Sequence, residues 1–516
     1  MDDAHDLTEL TALLASRVPI VLVETHEEPR VLGMLARAVR TSGGPMFTWS
    51  IADGIVRHGM DTAIYNTNEL VEALKHVDRT RQPGVYVFCD AHPGLSDPVV
   101  VRLIREIALE HHEIARTLVF VSPKLEGLAS ELLRLAAHFR PRLPSRDDIR
   151  AIVRQEAQLF QAQSGGTPRG ERADLDLLVT HLMGLETEDV RRMVRQALRP
   201  DGRIDAADVR RVLESKMAML GGTDALGFEA SPVRFDAVGG LAQLKRWIAL
   251  RRAPFLDAAG GSSVDCPRGV VLLGVQGGGK SLAARAIAGE WGLPLMRLDF
   301  GALHNKYVGE TERSLRRAIA VAEGMSPCVL WMDEIEKGLS GSAGGGEHDG
   351  GVGRRVLGGL LTWMSERTKP VFVVATANDI SQLPPELVRK GRFDEIFFVD
   401  FPGGEARRRI FEIHLQRRRL DPATFDLDAL ASGSRQFSGA EIEQAIVAAS
   451  FEARARAAAV DTDALLAELA RTRPLSVVMA ERVGALRRWA ASRAVMADAP
   501  EPAATHADLP ATLLDD

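Results

Sequence analysis

Several glycines and a lysine of this chain are spaced so that they could hold phosphate groups. Residues 274–281 read G-V-Q-G-G-G-K-S, with an apolar strand-like run before them and a helical pattern after them. Glycines let consecutive backbone N–H groups point at phosphate oxygens, and the N-terminus of the following helix faces the same anion. Lys280 adds a positive charge beside the terminal phosphates, and Ser281 supplies an oxygen ligand for Mg²⁺. The pattern predicts that a nucleoside triphosphate contacts Gly274, Gln276, Gly277, Gly278, Gly279, Lys280, Ser281 and Leu282.

An acidic pair follows another apolar run. Residues 329–332 are apolar and are followed directly by Asp333 and Glu334. A carboxylate at the end of a strand beside the phosphate loop can order the ligands of Mg²⁺, which suits Asp333, and Glu334 is then placed to activate the attacking water. An isolated acidic pair is more often part of a solvated loop, but the glycine pattern upstream favours catalysis here.

Two further segments offer polar groups to the same chemistry. The strand-like run VFVVATAN ends at Asn378, whose neutral amide can hold a water or the γ-phosphate without adding charge. Arg389 and Arg392 lie three residues apart in a basic segment that contains a turn. An arginine presented to a phosphate neutralises charge in the transition state, whereas a surface ion pair contributes little. The residues alone leave both interpretations of these arginines open.

The elements that must position these residues are strands that alternate with helices. Apolar runs of strand length (VPIVLVE, MFTWSI, GVYVFCD and TLVFVS) alternate with helical patterns over residues 1–215, and the alternation returns over 233–400. This order predicts mostly parallel sheets covered by helices, hence an α/β fold. We predict an N-terminal α/β domain, a linker, an α/β domain with the phosphate loop, a helical lid with C-terminal helices, and a disordered tail, at residues 1–215, 216–232, 233–402, 403–497 and 498–516.

Composition limits the classes of function. The formal net charge is −6, which is not typical of a general nucleic-acid binder. No apolar run approaches the ~20 residues that span a bilayer, and the first residues lack the layout of a signal peptide, so we expect a cytoplasmic protein without membrane contact. The chain has three cysteines, and the strand-like runs around Cys89 and Cys328 favour buried free thiols over a disulfide or a metal site.

At this point the motifs show a resemblance to a known family. The region 233–450 closely resembles the AAA+ ATPases of the AAA clade, in which 274–281 would be the Walker A motif, Asp333 and Glu334 the Walker B motif, and Asn378 sensor 1. The resemblance implies ATP and Mg²⁺ as cofactors, a parallel sheet with a helical lid, and a ring of copies of this chain, usually a hexamer. It implies adenine or ribose contacts from Asp236, Gly239, His414, Gly439 and Ala440.

The same resemblance bears on the two arginines and on the whole chain. It implies that Arg389 and Arg392 are arginine fingers that act across a subunit interface in the neighbour's site. The chain is similar in sequence, over nearly its whole length, to the plastid and cyanobacterial AAA proteins of the ycf group and their bacterial relatives. The similar segments include GVQGGGKS, MDEIEKGL and THEEPRVL. One departure is Gly278, where many AAA loops carry threonine.

An aromatic residue is placed where a ring could grip a polypeptide. Tyr307, Val308 and Gly309 form a triplet that resembles the first pore loop of AAA translocases, and tyrosine can contact many sequences without specificity. The alternative is a tyrosine that packs locally at the start of a helix. In the glycine-rich segment 340–353, His348 has no second ligand at a spacing that suits a metal.

The N-terminal region resembles a copy of the ATPase region without its chemistry. Residues 19–39 have the strand-then-helix order of a phosphate loop but no G-K-[ST], and Glu24, Glu27 and Glu28 occupy the zone of the phosphates, where like charge repels. Asp90 ends a strand, but Ala91 replaces the water-activating glutamate. We predict a degenerate ATPase-like domain that does not hydrolyse nucleotide; the alternative is an unrelated α/β domain.

The leading interpretation is an ATP hydrolase that couples turnover to the remodelling of a protein partner, whose identity the sequence does not give. The second is a nucleotide-dependent binding module or switch, which needs the phosphate loop but not Tyr307. A nucleic-acid motor ranks last because of the acidic net charge.

Overall fold

The structure, a computed structural model, divides into two compact units. The N-terminal unit comprises residues 1–168 and 185–202, and the C-terminal unit comprises 169–184 and 203–516. The predicted first domain, 1–215, therefore includes residues of both units, because helix Ala206–Met219 places Leu213 in an apolar core of the C-terminal unit. The residues that the structure describes are 4–125, 129–198, 202–221, 225–229, 233–259, 265–303, 310–336, 350–379, 386–387, 391–456 and 458–498.

The first part of the chain alternates strands and helices as the sequence predicts. Its helices are α1 (Ala4–Ala15), α2 (Glu28–Ser42), α3 (Leu70–Thr80), α4 (Pro98–Leu109), α5 (Ser130–Leu133), α6 (Arg146–Ser164), α7 (Arg172–Leu182), α8 (Thr187–Leu198) and α9 (Ala206–Met219). Its strands are β1 (Ile20–Glu24), β2 (Met46–Ser50), β3 (Gly54–Arg57), β4 (Gly84–Cys89), β5 (Arg116–Ser122), β6 (Ala136–Phe139), β7 (Arg169–Gly170) and β8 (Arg203–Ile204).

Six of these strands form the sheet of the N-terminal unit. Their order is β3-β2-β4-β5-β1-β6, and all neighbours are parallel except β2 and β3. Helices cover both faces, so successive side chains of one strand enter different cores: Leu22 lies in one apolar cluster, and Val21 and Val23 lie in the other. This double burial is why the strands read as continuous apolar runs, and the predicted strands β1, β2, β4 and β5 are confirmed.

The C-terminal unit contains a seven-stranded sheet in the order β15-β14-β10-β13-β12-β11-β9, in which β9 alone is antiparallel to its neighbour. Its strands are β9 (Leu226–Glu229), β10 (Gly269–Gly274), β11 (Leu295–Leu298), β12 (Cys328–Met332), β13 (Val371–Ala377), β14 (Glu395–Val399) and β15 (Val495–Met496). The accompanying helices are α10 (Ala242–Ala259), α11 (Lys280–Trp291), α12 (Phe300–Leu303), α13 (Glu310–Gly324) and α14 (Gly350–Glu366).

The two sheets follow the same topological plan. The five central strands of the C-terminal sheet lie side by side in the order β14-β10-β13-β12-β11. If these strands are numbered by their position along the chain, this order is fifth, first, fourth, third and second. The N-terminal unit has β6-β1-β5-β4-β2, which is the same sequence of positions, with the hairpin strand β3 added outside β2. The predicted ATPase-like fold of the N-terminal region is confirmed by this shared order, and the interpretation as an unrelated α/β domain is disfavoured.

Four helices after the second sheet form the lid. They are α15 (Gly404–Arg417), α16 (Leu427–Gly433), α17 (Gly439–Ala455) and α18 (Thr462–Arg471), and Phe411, Leu430, Ile446 and Leu465 share their core. The helices α19 (Leu475–Val478) and α20 (Ala480–Ala490) follow, and then strand β15 pairs with β14. We predicted only helices for 403–497; the two-residue strand was not predicted, because its pairing partner is about 100 residues away. Among the described residues, no helix has the length and apolarity that a transmembrane span requires.

Candidate nucleotide-binding site

The glycine loop lies between strand β10 and helix α11, as predicted. Gly277 and Gly279 have φ values of 75° and 95°, which a side chain would strain. A Cβ at Gly277 would also lie 2.9 Å from the hydroxyl of Ser438 in the lid, so the loop and the lid approach closely there. Helix α11 begins at Lys280, so its free backbone N–H groups face the loop.

The ammonium of Lys280 lies at the floor of this loop. Its Nζ donates to the backbone oxygens of Gly274 at 2.9 Å and of Val275 at 2.7 Å, and the side chain is buried. Burial lowers the pKa of Lys280 to about 8, against the opposing carboxylates of Glu336, Asp333 and Glu334. An anionic ligand in the loop would compensate the positive charge of this buried lysine.

The acidic pair follows β12 and is fixed by a neighbouring strand. The hydroxyl of Thr376 on β13 donates to Oδ1 of Asp333 at 2.7 Å and accepts from the backbone N–H of Glu334 at 3.0 Å. The hydroxyl of Ser281 lies 3.3 Å from the same Oδ1, and Arg297 approaches Oδ2 at 3.5 Å. The structure therefore brings Ser281 and Asp333 together as predicted, and it adds Thr376 and Arg297, which the sequence analysis did not include.

Asn378 lies against the second carboxylate. Its Nδ2 donates to Oε1 of Glu334 at 2.9 Å, and its backbone N–H donates to Glu336 at 2.9 Å. Glu334 has a φ of 47°, a left-handed conformation that is uncommon outside glycine and that often marks functional positions. Burial raises the pKa of Glu336 above its usual value. Glu336 was not among the predicted site residues.

A cavity of about 710 Å³ collects these groups. The phosphate loop, the acidic pair, Asn378, the entry segment around Gly239 and the lid all contribute to its wall. Of the predicted site residues, the following line it: Gly239, Gln276, Gly277, Gly278, Gly279, Lys280, Ser281, Leu282, Asp333, Glu334, Asn378, His414, Gly439 and Ala440.

Some predicted residues stand elsewhere. Asp236 and Gly274 are not part of the cavity wall, although Ala237, the residue after Asp236, is, and the backbone oxygen of Gly274 accepts from Lys280. Arg392 does not line it either, and its Nη1 donates to the backbone oxygen of Glu386 at 3.0 Å. Arg389, the triplet 307–309 and His348 lie outside the described residues.

The lid contributes the wall that faces the loop. Ser438 caps helix α17 in a capping box with Glu441, so Gly439 and Ala440 lie in the first turn of the helix at the cavity. Nδ1 of His414 on α15 lies 3.4 Å from Glu443, and burial lowers the pKa of the imidazole although Glu443 opposes this. His414 is therefore a neutral ring near pH 7, which suits contact with an uncharged part of a ligand.

The equivalent place in the N-terminal unit is filled by carboxylates of the same unit. Glu27 is buried, and it accepts hydrogen bonds from the backbone N–H of Glu188 at 3.0 Å and from Arg30 at 2.8 Å. Glu186 accepts from the hydroxyl of Thr25 at 3.0 Å and from the backbone N–H of His26 at 3.3 Å. N–H donors that could receive an external anion are thus already satisfied by carboxylates.

The strand beside this place carries a thiol and a strained aspartate. Asp90 has a φ of 51°, close to the value for Glu334, so by its backbone it corresponds to Glu334 and not to Asp333 as the sequence comparison suggested. The residue before it, Cys89, then takes the place of Asp333. Burial and the nearby Glu28 raise the pKa of the Cys89 thiol to about 12, so it stays protonated. A neutral thiol is a poor substitute for the carboxylate that orders Mg²⁺ ligands.

Comparison with known proteins agrees with this geometry. The profile of the ATPase family associated with various cellular activities (AAA) matches residues 270–401, and profiles of the N-terminal and second domains of SpoVK-like AAA ATPases match 6–140 and 147–223.

Relatives cover nearly the whole chain. An "uncharacterized AAA domain-containing protein ycf46" from Guillardia theta is 34% identical over 93% of this chain and 94% of its own, and one from Trieres chinensis is 33% identical over 94% and 96%. A cell division cycle protein 48 homolog of Archaeoglobus fulgidus is 32% identical over 42% of this chain and 30% of its own. The chain therefore belongs to the AAA ATPases, among the ycf46 AAA domain-containing proteins, and is an ATP hydrolase.

Proposed function

We propose that this ATPase hydrolyses Mg²⁺-ATP in the cavity of the C-terminal unit and uses the turnover to remodel a protein partner as a ring of identical chains. The observation that carries the hydrolytic site is the hydrogen-bonded group on one wall of the cavity. There Thr376 holds Asp333 beside Ser281, and Asn378 holds Glu334. Lys280 lies at the floor and supplies the positive charge for the phosphates.

Two oxygen ligands of the site fit Mg²⁺. The Ser281 hydroxyl and the Asp333 carboxylate are hard oxygen donors 3.3 Å apart, and Mg²⁺ is commonly held by one or two such groups together with substrate phosphates. Ser281 and Asp333 would hold the cation. When bound, it neutralises charge on the phosphate oxygens.

The chain's own groups perform the proton transfer. Glu334 accepts a proton from a water as the water oxygen bonds to the γ-phosphorus, and the bond from that phosphorus to the bridging oxygen breaks to release ADP. Asn378 donates to Oε1 of Glu334 and so fixes the orientation of this carboxylate. The contacts of Asp236, Gly239, His414, Gly439 and Ala440 with adenine or ribose remain proposals from the family resemblance.

The variant Glu334→Gln tests the assigned base. A glutamine keeps the shape and can still bond Asn378, but it cannot take the proton, so kcat should fall by about 10²–10⁴ while the Kd for ATP changes less than about threefold. Steady-state turnover and equilibrium titration of the full chain measure both quantities. Lys280→Ala serves as the comparison, since it should lose ATP binding as well. Turnover of Glu334→Gln near the wild-type rate would remove Glu334 from this role.

The proposal that a protein is threaded through the ring rests on the resemblance of Tyr307, Val308 and Gly309 to a pore loop. The proposal that a neighbour completes each site rests on the resemblance of Arg389 and Arg392 to arginine fingers.

The partner protein can be sought by identifying the proteins that Glu334→Gln rings retain in the presence of ATP. A Tyr307→Ala chain that keeps both ATP turnover and its cellular role would favour the switch instead. DNA that stimulates turnover, with a steep loss in salt, would favour the nucleic-acid motor.

We also propose that the N-terminal unit does not bind nucleotide and serves assembly or partner binding. Glu186 accepts from the N–H of His26 in the loop after β1, and Glu27 of the same loop accepts from the N–H of Glu188 in α8. The charge of these carboxylates would repel an incoming phosphate. Full-length Lys280→Ala should therefore retain no ATP binding in isothermal titration. Residual binding with a micromolar Kd in that variant would show a second site and refute this proposal.

A further inference from the structure

The chain that follows the lid returns to the nucleotide cavity. Strand β15 pairs with β14, joining Val495 to Phe397 and Met496 to Phe398. Ala497 is fully buried, donates to the backbone oxygen of Phe398 at 2.9 Å, and accepts from the N–H groups of residues 243 and 244 at 3.1 Å. These bonds fix residues 495–498 to the edge of the sheet.

The end of this segment meets the entry segment of the site. Oδ1 of Asp498 accepts from the backbone N–H of Ala242 at the start of helix α10, at 3.2 Å. A Cβ at Gly240 would lie 2.5 Å from Oδ2 of Asp498, so the two segments are in close contact. Met496 and Asp498 both line the cavity of about 710 Å³. The predicted start of a disordered tail at 498 is therefore corrected: Asp498 is a fixed part of the cavity wall.

Helix α20 lies close to the phosphate loop. Leu486 of this helix and Met479, the residue before it, line one small cavity of about 50 Å³ together with Gln276 and Asn378. Arg482 on α20 pairs with Asp379 at 3.0 Å, and Asp379 directly follows Asn378. At the lid, the backbone N–H of Leu475 donates to Glu441 at 2.7 Å. The segment 475–498 thus contacts the lid, the sheet and the entry segment.

One ion pair of this segment stands in the wall of the cavity itself. Nε and Nη2 of Arg487 donate to the two carboxylate oxygens of Asp400 at 2.8 and 2.9 Å, a bidentate pair. Both residues line the cavity, and the Asp400 side chain is only 20% exposed. Asp400 directly follows β14, so its place is fixed by the sheet. A carboxylate there, left without its cation, would repel the triphosphate of a bound nucleotide.

We propose that the segment Leu475–Asp498 is a functional wall of the ATP site, and that Arg487 is a positioning residue that neutralises Asp400 and turns it from the nucleotide. The inference rests on ATP binding in this cavity. Arg487 acts on binding through Asp400, so its loss raises KM and Kd and leaves kcat at saturating ATP nearly unchanged.

Charge variants of the pair test this role on the full chain. We expect Arg487→Gln to raise the Kd for a non-hydrolysable ATP analogue by about three- to tenfold, the range for a partly screened charge. The double variant Arg487→Gln/Asp400→Asn should return to within about twofold of wild type, because no unpaired carboxylate remains. Arg487→Lys should lie between wild type and Arg487→Gln. Arg488→Gln removes the same charge from an exposed position on α20 and is the matched control.

The outcomes separate the inference from the site on which it rests. A wild-type chain that does not bind ATP contradicts the site. A wild-type chain that binds, with Arg487→Gln equal to wild type or to Arg488→Gln, overturns the role of Arg487. So does a double variant that is no better than Arg487→Gln, since the loss would then not pass through Asp400.

Two truncations test the wall without a change in charge at Arg487. A chain that stops after Asp498 keeps every described wall residue and should bind the analogue within about twofold of wild type. A chain that stops after Ala494 loses β15, Ala497 and Asp498 and should bind at least about tenfold more weakly, with thermal unfolding as a check on folding. Equal affinity of the two truncations would overturn the assignment of residues 495–498 to the wall.

Discussion

At the scale of single residues, the uncharged hydroxyl of Thr376 connects the two residues of the acidic pair. Thr376 donates to Asp333 and accepts from the backbone of Glu334, so one side chain bridges both members of the acidic pair. Thr376 is buried in strand β13, which cannot shift without moving the sheet. The precision of the site therefore derives from a rigid strand that carries no charge of its own.

Replacement of Thr376 by valine should reduce catalysis without unfolding the protein. Valine has nearly the same shape but removes the shortest hydrogen bond to Asp333, at 2.7 Å, and the hydroxyl that accepts from the Glu334 N–H. A hydrogen bond to a charged group is worth about 1.5–3 kcal/mol. We expect kcat to fall about ten- to hundredfold in steady-state assays. Thr376→Ser keeps the hydroxyl and should stay within about threefold of wild type. A valine variant with normal kcat would show that the bridge has no part in turnover.

The sequence predicted the residues whose chemistry is local and missed those that act through a distant partner. Lys280 and Ser281 follow from the spacing of one loop, and both line the cavity. Thr376 read as an ordinary β-branched strand residue, because only the neighbouring strand reveals its partner. Arg487 lies 87 positions from Asp400, and no local pattern marks that pair. The finger and pore assignments of Arg389 and Tyr307 stay predictions.

At the scale of elements, a buried lysine joins two helices of the C-terminal unit. Nζ of Lys216 on α9 donates to the backbone oxygens of His181 at 3.1 Å and Met183 at 2.6 Å, at the C-terminal end of α7, where a cation is favoured. Burial lowers the pKa of Lys216 to about 7, with Lys369 acting in the same direction and Cys328 opposing. Burial also lowers the pKa of His181 to about 4 and raises that of Cys328 to about 12, so both are neutral near pH 7.

This lysine should make the stability of the C-terminal unit depend on pH above neutrality. The pKa of Lys216 is about 7 when folded and 10.5 as its ordinary value, so the unfolded chain binds more protons between these pH values. The contribution of Lys216 to stability grows between pH 7 and pH 10.5, by up to about 1.4 kcal/mol per pH unit, and it is lost as the pH falls back through about 7. Thermal unfolding at pH 7, 8 and 9 should show this slope in wild type relative to Lys216→Met. Parallel profiles of the two proteins would contradict it.

Elements were predictable where both faces of a strand are buried. β1 and β5 each read as an apolar run because helices cover both sides of their sheet. β6 has the sequence AAHF and β15 has two residues, and such short segments become strands only through the neighbour they pair with.

At the scale of the whole molecule, the two units share one strand order but carry residues of opposite charge in the corresponding loops. The sheets of the two units share their topology, yet one loop presents glycines and Lys280 to an anion, and the other presents Glu27. The alternation of elements predicted parallel sheets covered by helices, but it did not predict the order of the strands within them. The chemistry was predictable only from the residues at the ends of the strands.

The proposed ring makes a further prediction at this scale, that each site is completed by a second copy of the chain. Arg392 belongs to the described residues but does not line the cavity of its own chain, and it donates to the backbone of Glu386. If it neutralises transition-state charge, it does so in a neighbour's site. Alone, Arg392→Ala should bind ATP with low turnover, and Lys280→Ala should not bind it.

A mixture of these two inactive variants should regain activity. In such a mixture, the Arg392→Ala chain supplies a site with an intact phosphate loop. An adjacent Lys280→Ala chain supplies the arginine that this site lacks. With random 1:1 assembly about a quarter of the interfaces combine both, so turnover should approach about a quarter of the wild-type value. The control mixes Arg392→Ala with the double variant Lys280→Ala/Arg392→Ala, in which no interface is complete. A mixture no more active than this control would mean that Arg392 does not act across an interface, since free exchange of subunits can be verified by labelling both chains.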